Sequence, residues 1–310
     1  MPRLSVAALS LLSLLMLLAV PRTAEARSTR RGASSSKSAK RIYNPPVSPL
    51  TRAGLPNIQA ASAIIVDLDT GAELFAKNAD EIRPIASVGK LFLALAVRGK
   101  GFPLEATTAI QEEDQRFARG GARSRLPVGK SFLNHDLLRA MLISSDNRAC
   151  TALGRAAGWT VDELVAAMNR TATALGLKRT RFEDPSGLNG NVSTAREVIA
   201  ALRATLADPV LAAIMGTPLA TVRSVGANPV VIDYVSTDVA LRTEKRFPVH
   251  GGKTGYTDEA RYCLAIAATI DGRRVGMVFL GAEGKLTRFA DFNRSAAWLL
   301  AKPPAVTATR

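Results

Sequence analysis

The chain has 310 residues, room for one large domain or two small ones. Apolar residues make up 47% and charged residues 22%, which supplies a core and excludes a chain disordered throughout. Two Cys and two His exclude a disulfide framework and leave too few soft ligands for a structural zinc site, while 41 Lys+Arg against 26 Asp+Glu give a formal net charge of +15.

The first 26 residues predict a secretory signal peptide: Arg3, then the almost unbroken apolar run Leu4 to Val20, then Ala24-Glu25-Ala26 as a small-x-small cleavage site. No Cys follows the run, which excludes a lipoprotein, and no later stretch is long and apolar enough to span a bilayer. The mature protein is therefore expected outside the cytoplasm, in the periplasm or cell wall, with no stable membrane anchor after cleavage. Arg27 to Arg41 carries Arg27, Arg30, Arg31, Lys37, Lys40 and Arg41 and no acid, the composition of a disordered basic tether. It suits a polyanionic envelope or simple solvation; nucleic acid is not an expected partner of an exported chain. Without both segments, residues 42–310 carry +8. The proline-containing stretch Tyr43 to Pro56 reads as an extended approach, so the tether is drawn as 27–56, the folded domain as 57–302 and the tail as 303–310.

Within the domain, Ser62 to Asp67 and Glu73 to Ala76 read as a hairpin turned by Asp69-Thr70-Gly71. A lone Asp-Thr-Gly lacks the second carboxylate of an aspartic protease, so it is taken as turn chemistry. Ser87 to about Val97 predicts a buried helix. From about 104 to 215 strand signals fade, and His135–Ile143, Asn147–Ala157, Val161–Leu175 and Ala195–Leu206 predict helices. Strand character returns at Phe247 to Gly255. Tyr262–Ile270 and Val275–Leu280 pair through the type I′ turn signal Asp271-Gly272, and Leu286–Leu300 is an amphipathic helix. The pattern predicts an α/β fold: an antiparallel sheet assembled from both chain ends, flanked by helices, with an inserted helical subdomain.

Three short motifs carry chemistry. In Ser87-Val88-Gly89-Lys90 the Lys lies one helical turn after the Ser and can take its proton if burial, a second cation or the helix N-terminus keeps the amine neutral. The same spacing in Ser34-Ser35-Ser36-Lys37 lacks any such context. Ser145-Asp146-Asn147 offers a proton-relaying hydroxyl and an amide, although Ser and Asp before a helix are also ordinary caps. Lys253-Thr254-Gly255 on an edge strand offers a fixed charge, a hydroxyl and close backbone approach for an extended peptide ending in a carboxylate; by itself it could equally be a surface turn. The motifs occur in this order, 58 and 108 residues apart.

This trio is the set found in penicillin-binding proteins and class A β-lactamases. The sequence resembles the low-molecular-mass penicillin-binding proteins, the serine D-alanyl-D-alanine carboxypeptidases and endopeptidases, over roughly Pro56 to Leu300. Pro84-Ile85-Ala86 before Ser87, Asp184 to Leu188, Asn191 to Arg196 and Tyr256-Thr257 add to the resemblance. With 55 residues after Gly255, it is most similar to the short endopeptidases. His250 departs from the acidic residue often found before this strand.

The resemblance implies the penicillin-binding-protein/β-lactamase-like transpeptidase fold and a serine DD-peptidase acting on peptidoglycan stem peptides in cell-wall remodelling, with β-lactams as inhibitors. Ser87 would be the nucleophile, Lys90 its base and Ser145 the proton relay. Asn147, Lys253, Thr254 and Gly255 would bind substrate, with Tyr256 contributing a backbone N–H to the oxyanion hole. No cofactor and no metal are expected. The rival functions are a class A-like β-lactamase, for which Glu183 is the available deacylating residue, and a non-catalytic peptidoglycan-binding protein on the same fold. Cys150 and Cys263 are either a disulfide or two buried thiols.

Overall fold

The computed structural model describes residues 47–301; the signal peptide and the basic run of the tether lie outside the described residues. The last residues of the expected tether do not run straight. Leu50 bridges Pro56, and Asn57 N–H donates to Pro49 O at 2.9 Å, so 49–57 closes into a loop on the domain. The reason lies beyond it: Asp291 accepts from Gln59 N (2.7 Å) and Ala60 N (2.8 Å) and draws the incoming chain onto the C-terminal helix.

In chain order, β1 (Ser62–Asp67) and β2 (Glu73–Lys77) form the expected hairpin. Asp67 fixes its turn by accepting from Asp69 N and Thr70 N at 3.0 and 2.9 Å, and Asp69 is spent on an exposed pair with Arg274. After β3 (Arg83–Pro84) comes a 3₁₀ turn, Ala86–Gly89, and then α1 (Lys90–Gly99). The insert holds β4 (Thr107–Ala109), α2 (Glu112–Phe117), β5 (Ser131–Leu133), α3 (Asn134–Ile143), α4 (Arg148–Ala156), α5 (Val161–Ala174), β6 (Val192–Ser193), α6 (Ala195–Ala207) and α7 (Pro209–Met215). Caps set several of these boundaries. Thr160 and Glu163 form a capping box on α5, Thr194 caps α6, and Asp208 with Pro209 starts α7. A hairpin that the pattern did not suggest, β7 (Leu219–Arg223) with β8 (Val231–Val235), is followed by the short α8 (Val239–Thr243). Then β9 (Val249–Thr257), β10 (Arg261–Ile270), β11 (Arg273–Ala282) and α9 (Thr287–Leu300) complete the domain. Asp271 and Gly272 both take positive φ, 50° and 73°, as a type I′ turn requires.

The principal sheet is antiparallel in the order β2-β1-β11-β10-β9, so strands from both ends of the chain make it and β9 is an edge. It is buried on both faces. Alternate residues of each strand point to opposite sides: Ile65, Leu264, Ile266 and Phe279 pack with Phe292 and Trp298 of α9, while Ile64, Ala265, Ala267 and Val278 join the core with α1, α3 and α6. This brings β9 against the 3₁₀ turn, where the first and third motifs meet.

Candidate active site

The nucleophile turn is 3₁₀ rather than the α-helical start expected. This suits the motif, because side chains at i and i+3 eclipse in such a turn. Lys90 Nζ lies 3.2 Å from Ser87 Oγ. Ala86, immediately before, holds φ 47°, a conformation costly for a residue with a Cβ. Its neighbours pin it: a Cβ on Gly187 would fall 2.2 Å from Ala86 O, and one on Gly255 would fall 2.8 Å from Ile85 O and 3.1 Å from Ser87 N. Both glycines are therefore needed for two backbones to close on the turn. Asp184 Oδ1 accepts from Ser186 N, Leu188 N and the Ser186 hydroxyl, each at 2.8 Å, and from Gly187 N, which shapes the 184–188 loop so that Ser186 O stands 3.2 Å from Ser87 Oγ.

The second motif comes from the α3–α4 junction. Ser145 adopts φ 62°. Asp146 holds it there, with a buried carboxylate that accepts from Ser124 Oγ (2.6 Å), Arg125 N (3.1 Å), Tyr234 OH (2.9 Å) and Arg148 N (3.1 Å). Neither Ser145 nor Asn147 caps α4 through its side chain. Instead Lys90 Nζ donates to Ser145 O (2.8 Å), Ser145 Oγ (3.0 Å) and Asn147 Oδ1, and Lys253 Nζ donates to the same Ser145 Oγ at 2.9 Å. Lys253 also reaches Thr254 O at 2.8 Å, and Thr254 Oγ1 meets Thr237 Oγ1 at 2.7 Å.

Lys90 and Lys253 are both fully buried, and among the described residues neither forms an ion pair. Burial lowers the Lys90 pKa from 10.5; it lowers Lys253 further, with the Lys90 charge as the second cause. Two buried ammonium groups sharing one hydroxyl repel each other, which favours release of a proton from the pair.

Of the sequence-predicted site residues, Ser87, Lys90, Ser145, Asn147, Lys253 and Thr254 converge. Gly255 provides the close approach. The Tyr256 side chain points away, exposed, bonded to Asp258 (2.6 Å) and stacked on Tyr262, so only its backbone is available to the cleft. His250 bonds Thr269 at 2.6 Å across the sheet. The acid beside this strand comes instead from Asp238, whose buried Oδ2 has no hydrogen-bond partner among the described residues and lies 2.9 Å from where a Gly252 Cβ would stand. Glu183 is exposed and paired with Arg181. Cys150 and Cys263 are buried free thiols whose pKa values burial pushes up to about 12 and about 11. Among the described residues no cluster of His, Cys, Asp and Glu could hold a metal.

Three contributors were not legible in the motifs. Arg288, from α9, crosses beneath the sheet edge and donates to Gly255 O (2.8 Å) and Cys263 O (3.0 Å), bracing the strand that carries Lys253. Thr237 supports Thr254, and Tyr234 supports Asp146. Each lies far from its partner in sequence, and no local spacing marks it.

The family model described as D-alanyl-D-alanine carboxypeptidase matches residues 50–284. The chain is 37% identical over 256 residues to a D-alanyl-D-alanine endopeptidase of Pseudomonas aeruginosa, covering 81% of this chain and 82% of that protein. An endopeptidase of that name in Escherichia coli is 32% identical over 252 residues, with 80% of each chain covered. Among solved structures, a Streptomyces DD-transpeptidase superposes with a TM-score of 0.74 at 26% identity, over 79% of this chain and 98% of that one. A penicillin-binding protein homologue from Mycobacterium tuberculosis gives 0.72 at 30% identity, over 81% and 95%. The buried lysine pair, the strained Ala86 and Ser145 and the sheet edge thus occur in a chain that belongs to the D-alanyl-D-alanine carboxypeptidase family of serine DD-peptidases.

Proposed function

We propose that the protein hydrolyses D-alanyl peptide bonds of peptidoglycan through an acyl-enzyme on Ser87, and that β-lactams trap the same serine. The single observation that carries this reading is the convergence of Lys90 and Lys253 on Ser145 Oγ, with Lys90 also on Ser87 Oγ. A neutral Lys90 can give its two N–H groups to the Ser145 carbonyl and the Asn147 amide oxygen, which leaves its lone pair facing the Ser87 hydroxyl. A substrate carboxylate arriving at Lys253 and Thr254 stabilises positive charge on Lys253, so the shared charge settles there and Lys90 becomes the base.

Ser87 Oγ then bonds to the scissile carbonyl carbon as its proton passes to Lys90. The backbone N–H groups of Ser87 and Tyr256 receive the oxyanion. The C–N bond breaks as Ser145 relays a proton to the leaving amine, and water hydrolyses the resulting ester. Asn147 holds the amide of the donor peptide. The apolar N-terminal run and its small-residue site support export by a signal peptide 1–26, with residues 27–41 a basic tether in the periplasm or wall.

Cleavage of cross-links is preferred over trimming of terminal D-Ala on the greater identity to the Pseudomonas aeruginosa endopeptidase, 37%, against 33% to a carboxypeptidase of Mycobacterium tuberculosis and 29% to one of Bacillus subtilis. Labelled penicillin should give a stable adduct with the wild type and none with Ser87→Ala; an unlabelled wild type overturns the reading. Rapid nitrocefin turnover would instead favour a β-lactamase, for which the exposed Glu183 is poorly placed. Mass analysis of muropeptides from digested sacculi distinguishes cross-link cutting from trimming.

A further inference from the structure

The segment that joins β8 to α8 ties the second motif to the third. Thr237 N donates to Ile143 O at 3.0 Å, two residues before Ser145, and Thr237 Oγ1 meets Thr254 Oγ1 at 2.7 Å. Asp238 follows, and only 1% of it is exposed. Its Oδ1 accepts from Ala240 N (3.0 Å) and Leu241 N (3.3 Å), and its own N–H donates to Ser236 Oγ at 3.2 Å. Oδ2 has no hydrogen-bond partner among the described residues. A buried carboxylate oxygen left bare is costly as an anion and is relieved by a proton.

That oxygen lies against β9. A Cβ on Gly252 would stand 2.9 Å from Asp238 Oδ2 and 2.5 Å from Ala265 O, so only glycine lets the strand pass. Side chains alternate along a strand, so Gly252 and Thr254 share one face of β9 while the Lys253 side chain takes the other, toward Ser145. Asp238 therefore backs the face on which the Thr254 hydroxyl stands. Arg242 from α8 and Arg288 from α9 act on it, and both favour its anion. From β9 come Lys253 and also His250, which bonds Thr269 across the sheet. The β10 residues opposite Gly252 to Thr254 are Ile266, Ala265 and Leu264, which carry no charge. Burial outweighs the two arginines and raises the Asp238 pKa to about 6, so this acid changes charge between mildly acidic and neutral pH.

We infer that Asp238 sets the affinity of the Lys253–Thr254 edge for a substrate carboxylate by its own charge: neutral, it leaves the edge open to the anion, and ionised, it repels the anion through the strand. Asp238 acts through Thr237, Thr254 and β9 and touches no reacting atom, so it is a positioning residue. The inference rests on the function proposed above, which supplies the carboxylate. Its sign is fixed: as pH rises and Asp238 loses its proton to solvent, ground-state binding weakens. By linkage, a bound carboxylate raises the proton affinity of Asp238 by the same factor.

The test measures initial rates on an N-acylated peptide ending in D-Ala-D-Ala from about pH 4.5 to about pH 8 at fixed ionic strength. In the wild type KM should rise roughly fivefold, in a step with its midpoint near 6 that kcat does not follow. The matching peptide with a terminal carboxamide, measured as a competitive inhibitor, should show no step, because it brings no anion. Asp238→Asn should hold KM at its low-pH value through neutral pH. Asp238→Ser, which also caps α8 without charge, gives the same reading by a second route if the asparagine variant does not fold. His250→Gln should keep the step. This control matters because burial lowers the His250 pKa from 6.5, and loss of that proton would also weaken anion binding. A KM flat through this range, in wild-type protein that forms its penicillin adduct, overturns the inference and leaves the peptidase reading standing. A step that survives in the uncharged Asp238 variants, or one that the carboxamide shares, also overturns it. Failure to form the adduct would instead strike at the peptidase reading itself.

Discussion

The two faces of the principal sheet treat buried charge in opposite ways. On the α9 face, Asp291 is fully buried, but it is met by Arg294 and by the amides of Gln59 and Ala60, amid Phe279, Phe292 and Trp298. On the other face, Lys90 and Lys253 are as deeply buried, yet only neutral oxygens meet them. Paired charge in an apolar layer ties two ends of the chain together. Burial and like charge without a counter-ion lower the proton affinity of the pair and favour one amine as a base. The first arrangement serves the fold, and the second sacrifices local stability for reactivity.

The largest expected effect that could break this contrast comes from the reactive face. Lys90→Met should slow penicillin acylation by roughly 10²–10⁴-fold, measured by stopped flow, while leaving folding stability equal or raised, because an unpaired buried amine is removed. In the wild type the acylation rate should rise with pH as the pair sheds a proton, and level off well below 10.5. A rate flat in pH, or a Lys90→Met protein that unfolds, would place the lysines among the structural groups.

On the α9 face the expectation is reversed. Phe292→Ala should cost about 3–5 kcal/mol in urea unfolding, and the fraction still folded should form the penicillin adduct at the wild-type rate. A smaller effect tests the exception at the sheet edge. Asp238 is buried and its pKa is raised from 3.8 to about 6, first by burial. The folded state therefore holds a proton that the unfolded state has released between those values, so this group's contribution falls as pH rises from about 3.8 to about 6 and is a penalty above. Asp238→Asn keeps an oxygen to cap α8 and should stabilise the protein at pH 7 by up to about 3 kcal/mol, with that segment of the pH–stability curve flattened. The smallest change is a remote control: Thr160→Ala removes the α5 cap and should cost about 1 kcal/mol with unchanged acylation.

Much of this was legible in the residues. The β1–β2 and β10–β11 hairpins could be read because their turns carry Asp and Gly at positions needing Asx bonding or positive φ. The helices of the insert could be read from apolar spacing. The β7–β8 hairpin could not. Leu219, Val231 and Val235 are exposed beside the buried Ala220, Val222, Ile232 and Tyr234, so apolar residues on both faces erase the alternation that marks a half-buried strand. The bracing of β9 by Arg288 and the hold of Ser124, Arg125 and Tyr234 on Asp146 were equally silent, since each joins residues 21 or more positions apart.

Sequence alone determined which side chains were available: two lysines, two serines and an asparagine in three local settings, and a chain whose strand-forming ends must pair. Local spacing encodes such choices because turns and helices are short-range. Tertiary structure alone decided that both amines are buried and share one hydroxyl, that Ala86 and Ser145 are held in left-handed conformations, and that four arginines face a cavity with no acid lining it among the described residues. Proton affinity and strain depend on burial and on the field of distant neighbours, and those exist only once the sheet has closed.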